Sequence, residues 1–251
     1  MITIGLDPNL PTLGPLTPTW HGLFTLLAVV GGIAVALILA RRAELPEEQV
    51  YATALWGIPG GIIGARLVHV IDQWAYYAAN PAAILGLSGT SLYGALLGGA
   101  LAGALYARVK GFPVGRMADV AAPAMLVAQI IGRIGCLING DAYGSPTSLP
   151  WGIVYTHPNA AAPLGVAGHP APAYEILWDL IVLGVLWRLR GKAGKPGALF
   201  FLYLVLYSAG RFSITFWREN TVVVMGLQQA HIIALLIMAV GLPALLYLRR
   251  G

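Results

Sequence analysis

Apolar residues in this chain come in long blocks, without the one-face or alternating pattern of a soluble fold. A bilayer-crossing helix needs roughly 20 mostly apolar residues. Seven stretches approach that length: about 20–40, 50–71, 88–107, 117–138, 172–189, 197–217 and 227–248. The third is weakly hydrophobic but rich in small residues, and the fifth is short and carries Glu175 and Asp179. Pro59 and Pro123 each remove a backbone donor inside a span and predict kinks in the second and fourth. Gly57/Gly61, Gly60/Gly64, Gly94/Gly98 and Gly99/Gly103 have the small-xxx-small spacing that lets helices approach closely. Segment 139–171 is different, with Pro146, Pro150, Pro158, Pro163, Pro170 and several glycines. It predicts a small ordered head or lid, with a short strand at Trp151–Tyr155. The expected architecture is an all-α integral membrane protein of seven spans, one polytopic domain over residues 1–251.

Composition agrees with that class. Of 251 residues, 58% are hydrophobic and only 10% charged, against about 25% charged in soluble domains. The first nineteen residues lack the Lys or Arg that opens a cleavable signal peptide, so the first span is expected to be retained. A single cysteine, Cys136, excludes an intramolecular disulfide and a cysteine-based metal site.

The net charge of +5 would suit nucleic acid, but the placement of the basic residues argues against that partner. Arg41, Arg42, Arg108, Lys110, Arg116, Arg188, Arg190, Lys192, Lys195, Arg249 and Arg250 all fall on one side of a seven-span chain. Loops 1–19, 72–87 and 139–171 on the other side hold none. The positive-inside rule then puts the N-terminus outside and the C-terminus in the cytoplasm. With no lysine inside a span, a retinal Schiff base has no anchor.

Four arginines remain, Arg66, Arg133, Arg211 and Arg218, each late in or just after a span running outward. At about 1.5 Å of rise per residue, the first three stand a turn or two below the outer surface. Tyr207 and Arg211 share a helix face, as do Arg211 and Arg218. An arginine at that depth needs a buried partner or an anionic ligand. Two readings follow. Internal carboxylates such as Asp141, Glu175 or Asp179 could pair with the arginines and hold helices together. Alternatively, Arg133 and Arg211 grip a phosphate by bidentate bonds, and a phospholipid headgroup is the phosphate available at that depth.

Around them lie other polar groups. His169-Pro-Ala-Pro-Ala-Tyr174-Glu175 turns into the fifth span, where Glu175 also suits the positive end of a helix. His21 and Tyr93 stand at the outer ends of the first and third spans, at depths that suit interfacial side chains or bases. Metal-ligand spacing such as HExxH is absent, so neither a metal nor another cofactor is expected.

These motifs resemble the prolipoprotein diacylglyceryl transferase family. Its signature Gly-Arg-x-Gly-Asn-Phe-x-Asn-x-Glu-x-x-Gly is met in register by Gly132, Arg133, Gly135, Asn139 and Gly144. His169, Pro170, Tyr174 and Glu175 match its His-Pro-x-x-x-Tyr-Glu, and Tyr207 and Arg211 its Tyr-x-x-x-Arg. Trp20-His21-Gly22-Leu23 resembles its Trp-Tyr-Gly-Leu, and Gly64-Ala65-Arg66-Leu67 its Gly-Ala-Arg-Leu.

The resemblance implies a multi-pass enzyme of the bacterial plasma (inner) membrane with its active site toward the outer face. The sn-1,2-diacylglyceryl group of phosphatidylglycerol would pass to the lipobox cysteine of a preprolipoprotein signal peptide, forming a thioether and releasing glycerol phosphate. Such alkyl transfer needs a base for the thiol and donors for the departing phosphate. Arg133 and Arg211 are expected to bind the phosphate, with Arg66 or Arg218 a secondary contact. Asn139, Asp141, Tyr207 and Gly144 are expected at the headgroup, and His169 and Glu175 at the opening for the peptide.

The chain departs from the family pattern at several places. Cys136 stands for an asparagine, Asp141 for a glutamate, His21 for a tyrosine, Tyr93 for a histidine and Thr215 for a glutamate. The base role therefore stays open among Tyr93, Asp141 and His21. A non-catalytic lipid-binding paralogue and a small anion transporter are the rival readings.

Overall fold

A computed structural model describes residues 1–12, 14, 17–86, 91–220 and 222–250, without the side chains of 85, 92 and 93. The chain is mostly helical. Helices α1 (Trp20–Arg42), α2 (Glu47–Asp72), α4 (Leu92–Val109), α5 (Val114–Asn139), α6 (Ala171–Leu189), α7 (Ala198–Thr215) and α8 (Gln229–Arg249) follow the seven apolar blocks. A short helix, α3 (Trp74–Ala79), and a 3-10 turn at Pro81–Leu85 lie between α2 and α4. The start expected for the third span, 88–90, lies outside the described residues. Among the described residues, α1, α2, α5, α7 and α8 are long and apolar enough to cross a membrane, and Gly94–Val109 is a shorter apolar helix. Helix α6 carries Glu175, Asp179 and Arg188 within its nineteen residues, which lowers its apolar character. Pro59 and Pro123 sit inside α2 and α5, and both helices continue through them.

The chain resolves into two compact units. Residues 37–117 form one of them. Its centre is the seam between α2 and α4, where glycines take the place of side chains. A Cβ on Gly60 would stand 2.9 Å from the Gly98 carbonyl, and one on Gly61 3.1 Å from that of Ala95. Backbones that close pack by van der Waals contact, the force that joins helices when both surroundings are apolar. Ser91 caps α4, its hydroxyl accepting from the Gly94 amide at 3.4 Å.

Residues 1–36 and 118–251 form the other unit. Its core joins Leu126 of α5, Val182 and Leu186 of α6, Leu199, Leu202 and Tyr203 of α7, and Leu245 of α8. Asp119 fastens the start of α7: its carboxylate accepts from the amides of Gly197 at 2.8 Å and Phe200 at 3.0 Å. Those amides are among the donors a helix leaves unpaired at its first turn.

The segment after α5 is ordered as a small β head. Strand β1 (Ile2–Ile4) pairs parallel with β2 (Ile153–Tyr155), which pairs antiparallel with β3 (Ala167–Gly168). Period-two alternation explains the middle strand: Ile153 and Tyr155 are buried and Val154 between them is half-buried. Tyr155 also donates its hydroxyl to the Leu137 carbonyl at 2.7 Å, fastening the head to the end of α5. Burial pushes the Tyr155 hydroxyl up to about 12, with the charge of Asp141 adding to the shift.

Candidate active site

Helices α5, α6 and α7 bring three arginines to one carboxylate. Arg133 of α5 bonds Glu175 of α6 through Nε, and Arg211 of α7 bonds it through Nη1. Arg218, just beyond α7, donates from Nη1 to the same carboxylate at 3.0 Å. The three guanidinium side chains are 12%, 9% and 9% exposed and Glu175 is 6% exposed. Glu175 is thus the hub of the cluster, buried among the arginines.

Charge balance decides what this cluster can do. Asp179, buried one turn further along α6, feels Arg133 and Arg211 electrostatically. Three guanidiniums still outnumber two carboxylates, so the site keeps excess positive charge. A further donor is also free. Among the described residues, Nε of Arg218 is buried without a hydrogen-bond partner. Buried donors in surplus of acceptors favour an anion with several oxygens. Tyr207 lies one turn before Arg211, buried and within electrostatic reach of Arg133 and Arg211.

A second group adjoins the first through Cys136. Its Sγ lies 3.8 Å from Nη1 of Arg133 and 3.8 Å from Nδ1 of His21. His21 Nδ1 in turn stands 2.7 Å from the Asp141 carboxylate. Asn139 completes the joint, its side-chain oxygen accepting from the His21 amide at 3.3 Å. Glycine at 135 permits this approach, because a Cβ there would stand 3.0 Å from the His21 Cα. Asp141 therefore pairs with histidine and Glu175 with the arginines.

The third group belongs to the head. His169 Nδ1 and the Tyr174 hydroxyl are 3.2 Å apart, and Trp151 donates to that hydroxyl at 2.9 Å. Trp217 packs against both His169 and Tyr174. Gly144 sits beneath them, where a Cβ would come within 2.6 Å of the His169 Cβ, so its role is close packing. Its backbone bridges to Arg218. Gly144, His169, Ile153, Tyr155 and Glu219 are among the residues lining a cavity of about 220 Å³.

Two expected site residues lie in the unit of residues 37–117. Arg66 donates from Nε to the Ile84 carbonyl at 2.8 Å and from Nη2 to that of Ala83 at 2.5 Å, with Tyr77 beneath its guanidinium. Tyr93 belongs to α4, and its side chain lies outside the described residues.

Comparison of the sequence with known proteins assigns the chain to a family. The family model described as prolipoprotein diacylglyceryl transferase covers residues 8–247. The chain belongs to that family. A phosphatidylglycerol–prolipoprotein diacylglyceryl transferase of Dehalococcoides mccartyi (strain BAV1) is 38% identical over 248 residues, 98% of this chain and 95% of the relative. The enzyme of the same name from Trichormus variabilis is 35% identical, over 97% of this chain and 90% of its own length. That of Clostridioides difficile is 35% identical, over 95% of this chain and 94% of its own. The chain is accordingly a membrane transferase of the lipoprotein-modification class.

Three of the positions expected to depart from the family pattern, His21, Cys136 and Asp141, gather around one imidazole. His21 touches both Cys136 and Asp141, which lie 115 and 120 residues away along the chain. Sequence spacing carries no signal for the 120 residues that separate His21 from Asp141. Glu175 is one of three carboxylates that the sequence offers as partners of the arginines, and the structure pairs it with Arg133, Arg211 and Arg218.

Proposed function

We propose that this chain transfers the sn-1,2-diacylglyceryl group of phosphatidylglycerol to the lipobox cysteine of a preprolipoprotein signal peptide. The reaction takes place at the outer face of the bacterial plasma membrane. Seven helices cross the bilayer as one polytopic domain, with the N-terminus outside, a disposition supported by the one-sided distribution of basic loop residues. The observation that carries the reading is the excess of buried guanidiniums over carboxylates around Glu175.

Arg133 and Arg211 hold the phosphate of the lipid, and Arg218 adds its unpartnered N–H. The acceptor thiolate attacks the phosphate-bearing carbon of the diacylglyceryl group, and glycerol phosphate is the leaving group. A carbon–sulfur bond forms, the carbon–oxygen bond breaks, and the electron pair stays on the phosphate oxygen. Fixed cations where that charge grows lower the barrier without reorganisation. The thiol proton passes to the His21–Asp141 pair, assigned ahead of Tyr93 because the two groups stand joined beside Arg133 through Cys136. Tyr207 and Asn139 brace the neighbouring backbone and headgroup, and His169 lines the peptide opening.

Complementation of a bacterium depleted of its own transferase tests this reading. The chain should restore growth and lipoprotein lipidation, whereas Arg133→Ala and Arg211→Ala, each expressed and folded in the membrane, should not. Near-normal turnover by either variant would remove the phosphate clamp.

A further inference from the structure

Between α7 and α8 the chain forms a tight hairpin, β4 (Val222–Val224) against β5 (Leu227–Gln228). Successive strand residues point to opposite faces, so a hairpin standing in water normally shows polar side chains on at least one face. This one does not. Val222, Val223 and Val224 are 56%, 60% and 52% exposed, and Met225 at the tip is 95% exposed. The turn sharpens the point. Met225 and Gly226 have φ of +47° and +76°, the left-handed pair that favours Asn, Asp or Gly in a two-residue turn. Methionine at the first position gives up that preference, and it presents a long apolar side chain at the tip.

The base of the hairpin is polar and buried. Gln228, 9% exposed, donates from its side chain to the Arg218 carbonyl at 2.8 Å and accepts from Asn220 at 3.0 Å. Its own amide donates to His231 Nδ1 at 3.1 Å, closing a capping box at the start of α8. The apolar tip is therefore rigidly attached to Arg218, whose guanidinium reaches Glu175.

Connectivity identifies the medium around the tip. Helices α7 and α8 are both long and apolar enough to cross a membrane, so their short connection lies at the bilayer surface. Two-stranded hairpins are marginal in water, and an apolar patch on both faces gains by entering the acyl-chain boundary.

We propose that the hairpin is a bilayer anchor. Val222–Met225 insert into the leaflet at the arginine end of α7, and the polar base holds Arg218 at headgroup depth. The link to Arg218 rests on the diacylglyceryl-transfer reading; the insertion itself does not.

A nitroxide on Met225→Cys, in liposomes of neutral lipid and phosphatidylglycerol without peptide, reads the environment directly. The unsubstituted protein labelled in parallel corrects for buried Cys136. Relaxation by oxygen with little relaxation by a water-soluble nickel chelate is the expected result. Strong relaxation by the chelate, or protection from both reagents, overturns the anchor. For the link to Arg218, Val223→Asp/Met225→Asp should slow transfer from bilayer phosphatidylglycerol about tenfold while sparing transfer in detergent micelles. The same fractional loss in the two settings, or no loss from the bilayer, overturns that link. Absence of transfer by the unsubstituted chain would count against the proposed reaction and leave the label result standing.

Discussion

His21 and Asp141, 120 residues apart in the chain, meet at 2.7 Å beside Cys136. The contact joins the first turn of α1 to the turn that follows α5, and Cys136 links this imidazole–carboxylate pair to Arg133.

If the two groups act as a unit, their removal is not additive. His21→Ala and Asp141→Ala should each slow diacylglyceryl transfer, and the double variant should be little worse than either. The coupling is expected to be about 0.5–3 kcal/mol, as for residues in one network. Initial rates with a lipobox peptide measure it. Strictly additive losses would mean that the pair does not share one task.

Glu175 carries the electrostatic load of three arginines. Glu175→Ala leaves those guanidiniums buried against one another, and breaking a buried pair costs about 3–5 kcal/mol. A lower unfolding midpoint in detergent is expected, partly restored by added phosphatidylglycerol, whose phosphate replaces the lost charge. An unchanged midpoint would show that the carboxylate is dispensable.

Two glycine substitutions should separate packing from mere helix propensity. A side chain at Gly64 meets the backbone of Gly94 and Gly98, whereas one at Gly184 meets nothing within 4 Å. Gly64→Leu should destabilise by about 1–3 kcal/mol or more through overpacking. Gly184→Ala should be neutral or slightly stabilising, since alanine is the better helix former by about 1 kcal/mol. Thermal unfolding of the two variants side by side settles the contrast.

Tyr155 predicts an alkaline limit for the head. Its folded value is raised to about 12 from the ordinary 10, so the folded form keeps a proton that the unfolded form releases. The stabilisation is whole below pH 10 and is lost as the pH rises from 10 to 12. Tyr155→Phe should flatten that loss, as followed by hydrogen exchange of the β2 amides. A steep loss in the phenylalanine variant would assign the alkaline limit to other groups.

Much of this molecule is legible along the chain. Apolar blocks mark the helices because helix hydrogen bonds are local and membrane crossing depends on length and polarity alone. The same blocks make Arg133 and Arg211 conspicuous, since a charge in such a stretch demands a partner or a ligand. Proline and glycine mark the ordered head, and the strand expected at Trp151–Tyr155 appears as Ile153–Tyr155.

Tertiary structure alone decided which partners those charges take. Glu175, open in sequence between pairing with the arginines and shaping a peptide opening, stands 36 residues from Arg211 and 43 from Arg218 and joins them only when α6 and α7 pack together. The choice of Asp141 for His21, the meeting of Gly60 with Gly98, and the attachment of the hairpin to Arg218 are of the same kind. Pairing energy depends on distance in space, and helix packing sets that distance through contacts that no local pattern of residues records.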